Sequence, residues 1–318
     1  MKLPSAPTCS PISPSVPLKI CDLPRDRLLR ELSIYFNSPA PTQAVEFDYS
    51  LWRCSETGLE FCWPLSPGNP VFYKWISQFP AYYPSKRWEY AEVVAQVRDA
   101  NSSQVSVLDV GCGSGSFLDL LSFLGPGSAV GLDFNDSAVL ECKKKSLTAF
   151  NGSIRQALSD GLVKPNQFNF VTSFHCLEHV ANPLEFVQDL LAVTSRKGRV
   201  FLSTPVSPMS FEDEWFDIMN HPPHHMTRWT LPAYQKIASI LNLDFSYFLP
   251  IVSPVRQALS LENLKIAGPN SRSLQTGRLL QSVQRLPGFL ASWIKMAYRA
   301  RNHPLRGADV ILVQFSHK

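Results

Sequence analysis

From residue 86 to residue 249 the apolar positions repeat in a fixed order: a short continuous apolar run, then a stretch with apolar residues every three or four positions, then another run. The continuous runs predict strands over 105–109, 129–133, 168–174, 199–204 and 244–249, with a weaker one near 153–157. The spaced stretches predict helices over 86–98, 115–124, 136–149, 182–194 and 231–241. A last strand is expected over Asp309 to Phe315. Strands that alternate with helices imply an α/β fold, with a parallel sheet covered by helices on both faces.

The pattern changes outside that stretch. Residues 1–20 are rich in Pro and Ser and read as a disordered lead-in. Asp26 to Phe36 has the spacing of a short amphipathic helix. Residues 45–90 are crowded with aromatic side chains and prolines and predict a cap packed on the catalytic domain. Asp48 to Arg53 and Leu59 to Trp63 are expected to pair as a hairpin around Cys54-Ser55-Glu56-Thr57-Gly58. The expected organisation is a lead-in over 1–20, a cap over 21–85, the α/β domain over 86–249 and 309–318, and an insertion over 250–308.

The most specific chemistry lies after the strand at 105–109. Asp109-Val110-Gly111-Cys112-Gly113-Ser114-Gly115 is an acid at a strand end followed by glycines at alternate positions, then a helical run. Glycines let the chain turn sharply and approach a ligand closely, and a helix N-terminus offers unpaired N–H groups. The spacing is neither G-x-G-x-x-G nor a phosphate loop ending in Gly-Lys-Ser/Thr. A second strand, Ala129 to Leu132, runs into Asp133 and Phe134. A third, Phe168 to Phe174, runs into His175-Cys176-Leu177-Glu178-His179-Val180-Ala181-Asn182-Pro183.

These three segments resemble the class I S-adenosylmethionine-dependent methyltransferases, in particular the ubiquinone-biosynthesis O-methyltransferase type. The resemblance implies a Rossmann-like seven-stranded sheet, mostly parallel with an antiparallel last strand inserted between its neighbours. It implies S-adenosylmethionine as cofactor, held by Asp109, Gly111, Cys112, Gly113, Gly115, Asp133, Phe134 and His175, with the Asp133 carboxylate on the ribose diol. The hairpin resembles a degenerate form of the zinc ribbon that opens some sugar methyltransferases. Thr57 stands where the second cysteine ligand belongs, so a metal-free relic is expected.

Methyl transfer to a hydroxyl needs in-line alignment and a base. Two places offer one. His175, Glu178 and His179 share a face of a helical turn. They resemble the Glu-x-x-Glu-His set that ubiquinone-type enzymes associate with a divalent metal, with His175 in place of the first Glu. A hydrogen-bonded tether of the loop is an equal reading, and a metal is not expected. H-x-x-E-H is also an inverted zinc-protease motif, but here it follows a buried strand and precedes a helix start. The second place is Asn220-His221-Pro222-Pro223-His224-His225, a loop stiffened by two prolines. His224 or His225 is the expected base, with no choice made between them, and His179 is the third candidate.

Composition alters the picture in two ways. The 318 residues carry a net charge of only +4, but residues 250–308 hold nine Lys/Arg against one acid, Glu262. That segment, with Phe289, Leu290, Trp293, Ile294 and Ala297 at helical spacing, reads either as an interfacial helix for an anionic membrane or as a helix docked on the protein. The seven cysteines are scattered and no C-x-x-C occurs, so reduced thiols and a cytoplasmic location, peripheral at a membrane if the interfacial reading holds, are expected. No apolar leader or membrane-length apolar run is seen. The expected acceptor is a hydroxyl on a small molecule, a saccharide or a lipid-linked compound, with a quinone-type phenol as the rival. Nucleic acid is not expected. The competing reading is a non-catalytic, cofactor-binding regulatory or scaffold protein.

Overall fold

A computed structural model describes residues 5–79, 82, 84–100, 105–125, 127–267 and 286–318. Residues 1–4 of the expected lead-in and 268–285 of the basic insertion, including Arg272, Arg278 and Arg285, lie outside the described residues. The chain divides into two units. One comprises Met1–Tyr82, Pro205–Leu231 and Leu249–Ile311; the other comprises Tyr83–Thr204, Pro232–Phe248 and Leu312–Lys318.

In the first unit, β1 (Pro17–Leu23), β2 (Tyr49–Cys54) and β3 (Glu60–Trp63) form an antiparallel sheet in that order, completed by β9 (Thr227–Arg228). The expected hairpin is thus β2 and β3, with Leu51 opposite Cys62 and Arg53 opposite Glu60. The lead-in expectation is corrected: Pro17 onward is a strand, with Lys19 opposite Trp52 and Leu23 opposite Tyr49. Pro17 and Leu23 at its ends are buried and Leu18 and Ile20 between them are exposed, so its apolar residues do not mark one buried face, and the backbone ladder to β2 holds it. Helix α1 (Arg25–Phe36) buries Leu28 and Leu32 in a cluster with Leu23, Tyr49, Phe72 and Ile76. Asn69 caps α2 (Pro70–Ile76) by accepting the Phe72 N–H. Later in the chain, α9 (Pro254–Ala267) and α10 (Leu286–Asn302) share a small core of Ala258, Leu261, Met296 and Phe211, and α11 (Pro304–Ala308) follows.

The second unit is a seven-stranded sheet. Its strands are β4 (Val107–Val110), β5 (Ala129–Asp133), β6 (Thr148–Asn151), β7 (Phe168–Phe174), β8 (Thr194–Pro205), β10 (Leu243–Phe248) and β11 (Val310–His317), and their order is β10-β11-β8-β7-β4-β5-β6. The pairs among β4 to β8 are parallel, and β11 runs antiparallel to β10. This is the expected sheet, last strand included. Its helices are α3 (Trp88–Asp99), α4 (Ser116–Leu120), α5 (Asp136–Lys144), α6 (Ile154–Ser159), α7 (Pro183–Val193) and α8 (Leu231–Ile240). Val93, Val97, Val107, Phe117, Phe170 and Phe201 build one side of the core.

Three expected boundaries are corrected. Helix α4 stops at Leu120, ahead of Gly125-Pro126. Helix α5 ends at Lys144, because Ser146 turns left-handed at φ 61° and releases the chain into β6. The weak strand expected near 153–157 is therefore one element too late. Ser153 accepts the Gln156 N–H there and starts α6 instead.

Candidate functional site

The C-terminal ends of β4, β5 and β7 carry the predicted cofactor residues. Asp109 is 2% exposed and accepts a 2.7 Å hydrogen bond from the Thr172 hydroxyl. Burial pushes its carboxyl up to about 7; the Thr172 bond works against this, and the charge of Asp133 adds to it. Beyond Val110 the chain turns back, and the Gly111 and Cys112 N–H groups both donate to the Leu132 carbonyl, at 2.7 and 3.1 Å.

Gly111 and Gly115 both have φ of 80°, a conformation that L side chains rarely adopt. Space is the second constraint. A β-carbon on Gly111 would lie 2.1 Å from Cys176 Sγ, and one on Gly115 would lie 2.6 Å from Leu147 Cδ1. The glycines thus serve the turn twice, in backbone angle and in close approach. Cys112 is buried beside Cys142. A hydrogen bond that it donates to Cys142, together with burial, holds its thiol well above the usual range, so it packs rather than reacts.

Asp133 closes the turn. Its two oxygens accept the Gly113 and Asn135 N–H groups, each at 2.8 Å. Burial raises its carboxyl and these backbone bonds oppose the rise. A carboxylate has about four acceptor positions, so two such bonds leave it capacity for further donors. Phe134, next along, is 79% exposed, which leaves a ring face open to solvent.

His175 follows β7 in a left-handed conformation, φ 54°, and its N–H donates to the Ser203 carbonyl. Its ring lies between two buried carboxylates. Nε2 is 2.9 Å from Glu89 Oε1 and Nδ1 is 3.3 Å from Glu178 Oε1. Burial and Arg87 disfavour its charged form, but Glu178 and Glu89 outweigh both and raise its pKa. Glu89, from the first turn of α3, escaped the sequence reading. It stands 86 positions before His175, and nothing local marks it. Thr172 and Cys176 were missed in the same way. His179 sits half-buried in the short turn Leu177–His179, its N–H bonded to the Cys176 carbonyl.

The other unit holds the histidine loop. Asp217 caps the turn Ile218–Asn220, and three buried histidines follow. His221 Nδ1 donates to the Asp217 carbonyl at 2.7 Å, His224 Nδ1 to the Met219 carbonyl at 2.9 Å, and His225 Nδ1 to Asn220 Oδ1 at 2.9 Å. Each partner only accepts, so each ring carries its proton on Nδ1, and Nε2 is the basic atom of the neutral form. For His221, burial and then Arg228 push the pKa down to about 3, which keeps it neutral.

The rings of His224 and His225 stack at 4.6 Å, with Phe72 and Tyr82 packed on His224. Asn220 is itself fixed, because its amide donates to Glu212 Oε1 at 2.6 Å. Glu212 pairs with Arg228 at 2.5 Å, and Arg228 reaches Glu60 at 3.1 Å. A buried chain of polar side chains therefore sets the tautomer of His225. The sequence singled out His224 and His225; the roles of Asn220 and Glu212 were not legible in it.

Comparison with known proteins finds methyltransferases that share part of this sequence. A ribosomal protein L11 methyltransferase of Neisseria meningitidis is 36% identical over 119 residues, which are 36% of this chain and 38% of that protein. A mitochondrial ubiquinone biosynthesis O-methyltransferase of Dictyostelium discoideum is 31% identical over 114 residues, 31% of this chain and 35% of that one. The match spans well under half the length of either relative. A solved SAM-dependent methyltransferase from Archaeoglobus fulgidus superposes with a TM-score of 0.46 at 18% identity, covering 71% of this chain and 93% of its own. The family model of the methyltransferase domain matches residues 84–244, just over half of the sequence and the stretch that carries the glycine turn, Asp133 and His175, and the chain belongs to that family.

Proposed function

We propose that the protein binds S-adenosylmethionine at the Gly111–Gly115 turn and catalyses transfer of its methyl group to a hydroxyl of a small-molecule, saccharide or lipid-linked acceptor. The observation that carries this reading is the Asp133 carboxylate. It is held on the turn by two backbone N–H groups, with acceptor capacity left for a ribose diol. The residues fit the cofactor in two further respects. The turn has no β-carbon at Gly111 or Gly115, and Phe134 offers an exposed ring for a purine. When bound, the cofactor supplies a methyl group made electrophilic by the sulfonium.

The chain's own residues then have two tasks. Asp109, Asp133, Phe134 and the glycine turn bind and orient. A histidine Nε2 accepts the acceptor's hydroxyl proton. His225 or His224 is proposed for that step, because their Nδ1 bonds make Nε2 the basic atom of the neutral ring. His175 is assigned to orientation, since both of its nitrogens face carboxylates.

The test is methyl-labelled S-adenosylmethionine incubated with fractionated extracts. Label should enter one acceptor fraction as an alkali-stable ether. His224→Ala or His225→Ala should then lower turnover by about 10²–10⁴-fold, as loss of a general base does, with cofactor affinity unchanged. Cofactor binding without transfer to any fraction would favour the regulatory or scaffold reading. Full activity in both variants would move the base to His179.

A further inference from the structure

Helix α10 (Leu286–Asn302) is built inside out. A helix on a water-soluble surface turns its apolar stripe inward and its polar side chains outward. Here the inward side carries Ser292, Met296 and Arg299, all buried, with Phe289 beside them. These groups are bound firmly. Ser292 donates to Glu262 Oε1 at 2.6 Å, Arg299 pairs with Asp213 at 2.6 Å and donates to the Ser210 carbonyl, and Lys295 pairs with Glu214. The helix is thereby locked in rotation.

What it turns outward is apolar. Leu290 is 43% exposed, Trp293 39%, Ile294 61% and Tyr298 62%, with Ala297 between them. At about 100° per residue these positions span an arc of about 140°. Arg301, exposed, falls in the middle of that arc one turn further on. Ile251 and Val255, at the start of α9, are exposed as well. The two sequence-level alternatives for this helix are thus divided by residue: Phe289 docks inward, and Leu290, Trp293 and Ile294 do not.

We propose that this outward face is a docking surface for an anionic phospholipid bilayer. The amphipathic stripe supplies the apolar insertion: a Trp and a Tyr, side chains that settle at the headgroup level, flanked by Leu and Ile. The charge supplies the lipid sign: residues 250–308 carry nine Lys/Arg, of which Lys295 and Arg299 are engaged by Glu214 and Asp213, and a single acid, Glu262, which faces inward. Among the described residues no helix is long and apolar enough to cross a membrane, so the contact is peripheral. This inference does not depend on methyl transfer, because vesicle binding is read without turnover.

The experiment is co-sedimentation of the full chain with vesicles of phosphatidylcholine alone and of phosphatidylcholine with 30–40% phosphatidylserine, a range of about the anionic content that attracts basic segments. Binding should favour the anionic vesicles and weaken with salt, because the charge contribution is screened. Trp293→Ser should weaken binding about tenfold, the order expected for one lost interfacial aromatic. Arg301→Gln should weaken it about fivefold, as one basic residue at an anionic surface does. The thermal transition of Arg301→Gln should match wild type, and that of Trp293→Ser should fall only slightly, because Arg301 lies at the surface and Trp293 keeps 39% of its surface exposed.

Three results would overturn the proposal. One is equal partition to both vesicle types. Another is a Trp293→Ser protein that unfolds, which would mean that the stripe is packed. The third is a concentration-dependent dimer, in sedimentation velocity, that Trp293→Ser abolishes, which would assign the face to a second copy of the chain.

Discussion

Replacing Gly111 by Ala tests how the glycine turn is packed. Two costs are separable. The residue sits at φ 80°, where an L side chain costs about 1–2 kcal/mol. The new methyl would also lie 2.1 Å from Cys176 Sγ, and relieving such an overlap in a packed site costs about 1–3 kcal/mol. Gly111→Ala should therefore lose about 2–5 kcal/mol in total. Cys176→Ala removes the sulfur but keeps a β-carbon, which would be 3.6 Å from the new methyl, an ordinary contact. In that background Gly111→Ala should cost only the backbone part, about 1–2 kcal/mol. The coupling between the two positions, about 1–3 kcal/mol, is measurable by urea unfolding of the four proteins, provided the m-values agree. An equal cost of Gly111→Ala in both backgrounds would refute the packing of Cys176 on the turn, and with it the placement of the loop after β7.

Two other predictions concern protonation. Asp109 has its carboxyl pushed up to about 7 by burial. Well below about pH 4, the range in which an unfolded Asp ionises, it is protonated in both folded and unfolded chains and contributes no difference. As pH rises from 4 to 7 the unfolded chain ionises first, so the ligand-free fold loses stability, by about 4 kcal/mol once above pH 7. Asp109→Asn should flatten that dependence in urea midpoints taken from pH 5 to 8; an unchanged slope would mean that Asp109 is ionised throughout. Asn220→Leu removes the acceptor of His225 Nδ1–H, so nitrogen NMR of the imidazoles should show one Nδ1–H tautomer for His225 in wild type and a mixture in the variant. An unchanged tautomer would show that Asn220 does not set it.

What was legible in the sequence follows from how locally each feature is encoded. Four of the five parallel strands, β4, β5, β7 and β8, were legible because each is a continuous apolar run, and Phe168–Phe174 was placed to the residue; β6, short and half-exposed, was not. The glycine turn and Asp133 were legible because spacing alone marks them. Strand β1 was not, since only Pro17 and Leu23 at its ends are buried, Leu18 and Ile20 are exposed, and its order comes from the ladder to β2. Nor was the start of β8 at Thr194, five residues earlier than the apolar run begins, in a stretch paired irregularly with β7. The partners of the site were the least legible. Glu89 meets His175 across 86 positions, and Thr172 meets Asp109 across 63, distances over which no periodicity carries information. In α10 the sequence placed Phe289 and Leu290 on one face. Burial separates them, because the inward anchors Ser292 and Arg299 are polar and leave no apolar signature.

The central claim is that the Gly111–Gly115 turn with Asp133 holds S-adenosylmethionine, and isothermal titration tests it most directly. The account predicts saturable one-to-one binding of S-adenosylmethionine and S-adenosylhomocysteine, with Asp133→Ala weakening both by about 1–3 kcal/mol, the order of lost hydrogen bonds to a charged group. Absence of binding for both compounds, or equal affinity in wild type and a folded Asp133→Ala protein, would contradict it.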